Sequence, residues 1–200
     1  MTILFAIISL IAGVAVGQFI PESAVGIIDT ASDALLNLLL LSVGITVGAN
    51  KLVFKKLKEF NLRILYIPLG IVVGSLLFGS IAGVLMGMPL HTSAAISSGL
   101  GWYSLSGIMM QDLAGAQIGT MTFLSNVFRE IFSFVLIPLI ATRFGPYTAI
   151  APAAATSEDT TLPILMKYTS EEVAVVAVLN GVICSIAVPI LIPLTFHLLP

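Results

Sequence analysis

Residues 2–20, TILFAIISLIAGVAVGQFI, carry no charged side chain. That run is about as long as a helix must be to cross the roughly 30 Å hydrocarbon core of a bilayer. Inside lipid every main-chain N–H and C=O must find a partner within the protein, which leaves very few ways to fold. Comparable apolar runs recur at 34–50, 62–87 and 118–141, and from Glu172 to about Leu199, where Pro189 and Pro193 predict kinks. The chain is 58% hydrophobic and 9% charged, whereas soluble domains are about 25% charged. The expected fold is therefore all-α, a polytopic membrane protein with about five full transmembrane helices and two broken or re-entrant segments. Residues 1–200 read as a single integral-membrane domain. The N-terminus lacks the basic region and small-residue cleavage site of a signal peptide, so residues 2–20 are expected to be retained as the first span.

Composition excludes several chemistries. The lone cysteine, Cys184, rules out an internal disulfide framework and a cysteine-based metal site. Two histidines, His91 and His197, are too few and too far apart for a histidine-rich site. No cofactor, metal or catalytic residue is called for, and nothing points to nucleic acid.

The two broken segments are AAISSGLGWYSLSGIMMQ (94–111) and TAIAPAAATSEDTTLPILMKY (148–168). Their Gly, Ser, Thr and Pro content is incompatible with a smooth lipid-facing helix, and irregular backbone at membrane depth occurs only where protein or water covers it. Paired interruptions of this kind point to a transport site. Gly13 and Gly17, Gly44 and Gly48, Gly70 and Gly74, and Gly79 and Gly83 have the four-residue spacing that allows close helix packing.

Lys51, Lys55, Lys56, Lys58 and Arg63 occupy one loop, which the positive-inside rule assigns to the cytoplasm. If segment 94–111 dips in from outside and segment 148–168 from inside, Arg143 and Lys167 are cytoplasmic too. The hairpins then enter from opposite faces, as an alternating-access carrier requires.

Within 121–139, Arg129 and Glu130 lie at mid-membrane depth, where each costs at least about 2.5 kcal/mol if unpaired. Asn126, Arg129 and Glu130, at i, i+3 and i+4, share a face that Thr122 and Ser133 extend. A purely structural role for Arg129 is a buried ion pair, for which Glu158 or Asp159 would suit; in a transport site it would neutralise the empty pocket. In ATSEDTTLPIL, Pro163 suits the first turn of a half-helix beginning near Thr160 or Thr161. Its N-terminus would face a substrate carboxylate, while Glu158 and Asp159 would hold a cation or a coupling proton. Gly99, Gly101 and Gly107 allow close backbone approach, Ser104 and Ser106 offer hydroxyls, and Trp102 and Tyr103 offer aromatic walls for a cationic or aliphatic side chain. Glu171 and Glu172, after Thr169 and Ser170, read as capping charges at a helix start. Asn180, followed by Gly181, is an interhelical hydrogen bond or a ligand.

GLGWYSLSGIMM, SNVFRE with its apolar run to IPL, and ATSEDTTLPIL with NGVICSIAVPILIPL together resemble the LysO lysine-exporter family. The resemblance implies an inner-membrane exporter of L-lysine or a related basic amino acid, coupled to ion or proton movement. Carried over by motif, its substrate-binding candidates are Gly101, Trp102, Tyr103, Ser104, Ser106, Asn126, Arg129, Ser157, Glu158, Asp159 and Thr160, with Pro163 in the same motif. The residue reading adds Asn180, and Glu130, Glu158 and Asp159 are the candidates for ion or proton coupling. Longer members carry further N-terminal helices with an acidic membrane residue, so a small membrane subunit or a homo-oligomer is the expected partner beside lipid and substrate. Some members have an acid where this chain has Asn126, so that role moves here to Glu130 or Glu158, or the substrate differs. The alternative function is a non-transporting subunit of a larger transport complex. An intramembrane protease is disfavoured: Ser104 has no base at membrane depth, and Asp159 has no second aspartate.

Overall fold

The computed structural model describes residues 65–199 without a break, and before them short stretches and single positions from Ile8 to Ile45. The chain divides into two compact units, Met1–Gly44 and Ile45–Pro200. In the first, the described positions from Ile8 to Gly17 and from Ile27 to Leu41 are helical. The loop from Lys51 to Arg63, and with it the positive-inside argument, lies outside the described residues.

In the second unit the chain order is α1 (Tyr66–Leu85), α2 (Leu90–Ser97), α3 (Tyr103–Ala114) and α4 (Ala116–Arg143). Two short 3-10 turns (Thr148–Ile150 and Ala154–Glu158), α5 (Leu162–Tyr168) and α6 (Glu171–Leu198) follow. The described residues contain helices and no strand. Among the described residues three helices, α1, α4 and α6, are long and apolar enough to cross a membrane.

Local chemistry sets these boundaries. Pro68 sits in the first turn of α1, where its missing N–H is of no consequence. Between α2 and α3 the chain passes through positive φ at Leu100 (48°) and Gly101 (95°), which no helix accommodates. At the start of α6, Ser170 Oγ accepts from Val173 N, and Glu171 and Glu172 fill the first turn, as their sequence implied. Pro138 lies inside α4, and Pro189 and Pro193 inside α6, without ending either helix.

Packing fixes the direction of each element. Gly79 of α1 faces Ser97 of α2 and Gly83 faces Ser93, so closely that a methyl group at either glycine would overlap the serine. The two helices therefore run antiparallel. Gly107 of α3 faces Phe123 of α4, and Gly119 of α4 faces Gln111 of α3, which makes that pair antiparallel too. His91, at the start of α2, meets Phe196, near the end of α6, ring edge to face at 5.2 Å. At the other end of α6, Tyr147 donates its phenol proton to Glu172 at 3.1 Å. The 28 residues of α4 span about 42 Å. Its C-terminus lies at the Glu172 end, so its start, and the end of α3, lie at the His91 end. The segment α2–α3 thus enters and leaves the bundle at one end, and the segment from Tyr147 to Ser170 at the other. Arg143 and Lys167 share that second end.

Candidate functional site

The two interrupted segments meet tip to tip. Ala155 N donates to Leu100 O at 3.0 Å. Glu158 Oε1 accepts from Ser185 Oγ at 2.7 Å. Ser185 is 14 residues into α6, about 20 Å along its axis, so the second tip reaches the middle of the bundle. Ala154 also has positive φ, 49°, at the point where this segment turns.

Each tip is held by one asparagine. Asn126 Oδ1 accepts from Gly101 N at 2.7 Å, while its Nδ2 donates to Thr122 O at 2.9 Å. Asn180 Nδ2 donates to Ala154 O and to Ser157 Oγ, both at 3.0 Å. Ser157 Oγ lies 2.7 Å from the carbonyls of both Ala154 and Ala177 and donates to one at a time. Two glycines make these contacts possible: a Cβ at Gly99 would lie 2.8 Å from Asn126 Cγ, and one at Gly181 would lie 2.6 Å from Glu158 N.

Four polar residues of α4 are buried in one stripe: Thr122, Asn126, Glu130 and Ser133. Glu130 is 1% exposed, and among the described residues neither of its carboxyl oxygens has an aligned hydrogen bond. The buried Thr160 hydroxyl lies beside that carboxyl group, close enough to turn its proton towards it, and makes no other hydrogen bond among the described residues. Asp159 is exposed and within electrostatic reach of both Glu130 and Tyr103. Tyr103 packs edge to face against Phe123 at 5.4 Å. Leaving a buried polar group unpaired costs about 1–3 kcal/mol, more for a charge. The Glu130 carboxyl therefore either carries a proton or awaits a cation.

Arg129 corrects one expectation. It pairs with neither Glu158 nor Asp159. It donates to Ser75 Oγ at 2.8 Å and to the carbonyls of Ala151 and Pro152 at 3.4 Å each. Adjacent helix positions point about 100° apart, so Arg129 reaches α1 and the descending arm of the second tip while Glu130 faces its returning arm. Arg129 also edges a cavity of about 280 Å³ between α1, α2 and α4, where Ser75, Ser97, Ser125 and Asn126 supply polar walls.

The remaining expected residues divide into two groups. Trp102, Ser104 and Glu158 are half-buried around the tips. Ser106 is fully buried, with its hydroxyl 2.7 Å from Trp102 O. In this conformation the polar groups of Asn126, Asn180, Ser106 and Ser157, and the Gly101 amide, are all engaged within the protein. The half-helix expected near Thr160 is α5, capped by Thr161 without a side-chain bond and only 7 residues long, so its N-terminus is no anion site by itself. Among the described residues no group of His, Cys, Asp and Glu is arranged to hold a metal ion. Sequence reasoning did not single out Ser75 and Ser185. Nothing local marks a lone serine in an apolar helix as the partner of a distant charge.

The family description "Lysine exporter LysO" matches residues 7–196, and the chain belongs to that family. The Lysine exporter LysO of Escherichia coli (strain K12) is 38% identical over 162 residues, which cover 81% of this chain and 54% of the relative. The chain thus spans about half the length of that protein. A relative from Haemophilus influenzae is 35% identical over 156 residues, 77% of this chain and 78% of its own. No solved structure matches.

Proposed function

We propose that this chain is a multi-pass carrier of the cell inner membrane that exports L-lysine or a related basic amino acid by alternating access, coupled to ion or proton movement. The observation that carries the reading is the buried Glu130 carboxyl, which among the described residues has no aligned hydrogen bond and only the Thr160 hydroxyl beside it as a donor. An ammonium group supplies three donors and one positive charge, which is what that arrangement lacks. Asp159 adds negative charge at the exposed edge, and Tyr103 an aromatic wall. Glu130, Glu158 and Asp159 then share the substrate amine and the coupling proton. Arg129, beside the serine-lined cavity, is the group of opposite sign suited to the substrate carboxylate.

The antiparallel hairpins entering from opposite ends support alternating access, because each tip can block one side of a central site. The expected spans in the first 64 residues belong to the same reading, as does a partner: a small membrane subunit or a second copy of the chain. Counterflow of labelled L-lysine into proteoliposomes containing the purified full chain tests the proposal. Uptake driven by internal unlabelled lysine, reduced more than tenfold in Glu130→Gln, is expected. Undiminished counterflow in Glu130→Gln at equal protein density would overturn the assignment of the site. If activity needs a second membrane protein, undiminished counterflow when Glu130→Gln is paired with that protein would favour the reading of this chain as a non-transporting subunit.

A further inference from the structure

Residues 90–143 and 147–198 follow one plan. Each begins with a hairpin that turns at a non-glycine residue of positive φ, Leu100 at 48° and Ala154 at 49°. Each continues into a helix of 28 residues. Ile-Pro-Leu recurs late in each helix, at 137–139 in α4 and 192–194 in α6, one residue out of step with the correspondence of the tips. Asn126 follows Leu100, and Asn180 follows Ala154, by 26 residues in both cases. The hairpins enter from opposite ends of the bundle, so the two units are related by inverted topology, the relation on which rocking carriers are built.

This correspondence exposes an asymmetry in the bonds between the tips. Gly101 corresponds to Ala155, and Leu100 to Ala154. The bond from Ala155 N to Leu100 O is formed at 3.0 Å. Its counterpart, from Gly101 N to Ala154 O, is not. Gly101 N donates instead to Asn126 Oδ1, and Ala154 O accepts instead from Asn180 Nδ2. The two groups left over from the missing bond are held by the two corresponding asparagines, one through its oxygen and the other through its nitrogen.

We propose that Asn126 and Asn180 are exchangeable latches, and that the opposite access state is reached by swapping their roles. In that state Gly101 N bonds to Ala154 O, Asn126 Nδ2 takes Leu100 O, and Asn180 Oδ1 takes Ala155 N. The number of bonds is unchanged, so the two states stay close in energy. A carboxamide is needed at both positions because each latch accepts in one state and donates in the other. The two asparagines are positioning residues for the tips. The proposal rests on the carrier reading, but its test needs no transported substrate.

The test exploits the difference between amide and carboxylate. Asn126→Asp keeps the acceptor used now and loses the donor needed in the other state. Asn180→Asp does the reverse. Single reporters, Ile108→Cys on α3 and Leu162→Cys on α5, occupy corresponding half-buried positions of the two hairpins. They are placed in a Cys184→Ala background of the full chain, and labelling by a membrane-impermeant maleimide is timed in membranes. The ratio of the two labelling rates is expected to shift at least threefold in opposite directions in the two aspartate variants, and to return towards the parent value when they are combined. Shifts in the same direction, or no shift, overturn the proposal. If an aspartate variant does not reach the membrane, Asn126→Leu and Asn180→Leu carry the test. Each removes one latch, together with that asparagine's other bonds, from both states and is expected to change the ratio less than twofold. Release of one hairpin alone, seen as a large rise at one reporter, overturns the exchange.

Discussion

Replacing Gly181 by alanine tests whether the second tip is seated against α6 as described. A Cβ there would lie 2.5 Å from Glu158 Cβ, 2.6 Å from Glu158 N and 3.0 Å from Ala155 O. Ordinary contact begins at 3.4 Å, so the tip would have to retreat by about 0.9 Å. None of these atoms moves with a rotamer change, so the whole tip must shift. That shift stretches the bonds from Asn180 to Ala154 and from Ser185 to Glu158. Helix propensity alone favours alanine over glycine by about 1 kcal/mol. Overpacking costs about 1–3 kcal/mol and each weakened hydrogen bond about 1 kcal/mol, which leaves a net loss of about 2 kcal/mol. At this chain length the loss corresponds to a Tm lower by roughly 4–8 °C. Gly70→Ala is the control, since a Cβ there meets nothing within 4 Å. Both Tm values can be read in detergent from the thiol of Cys184, fully buried in the fold and so reactive towards a fluorogenic maleimide only on unfolding. A Gly181→Ala protein that melts at or above the parent temperature would refute the seating of the tip.

Arg129→Lys is expected to lower lysine counterflow more than tenfold, because one ammonium cannot span Ser75 and two carbonyls as a planar guanidinium does; normal counterflow would contradict this. Ser185→Ala removes the hydroxyl that holds Glu158 and is expected to cost about 1–2 kcal/mol, read as a drop in Tm, whereas Ser185→Thr keeps the hydroxyl and most of the stability.

The long spans were legible because lipid leaves a chain few options. Expected runs at 62–87, 118–141 and 172–199 correspond to helices at 66–85, 116–143 and 171–198. The two interruptions were legible from glycine, proline and serine content, and the Glu171–Glu172 start from its capping serine. The partner of Arg129 was not. Sequence shows a charge that needs oxygen atoms but not that main-chain carbonyls of an unwound segment will supply them. Asn126 and Asn180 were visible as polar residues in apolar helices, yet their role depends on a turn 26 residues earlier, a separation that no helical periodicity encodes. Ser106 and Ser157 bond to nearby backbone in this conformation, because a hydroxyl in a helix or tight turn finds its own carbonyls first.

The central claim is that the buried Glu130 carboxyl receives the positively charged end of a basic amino acid. Equilibrium binding of labelled L-lysine to the purified full chain, with norleucine as the competitor that lacks the side-chain amine, addresses it most directly. Lysine is expected to bind, norleucine is expected not to displace it, and Glu130→Gln is expected to weaken binding by roughly 10- to 100-fold, the equivalent of a charge-assisted hydrogen bond of about 1.5–3 kcal/mol. Equal lysine affinity in the parent and Glu130→Gln proteins, or displacement by norleucine as effective as by lysine itself, would contradict the account.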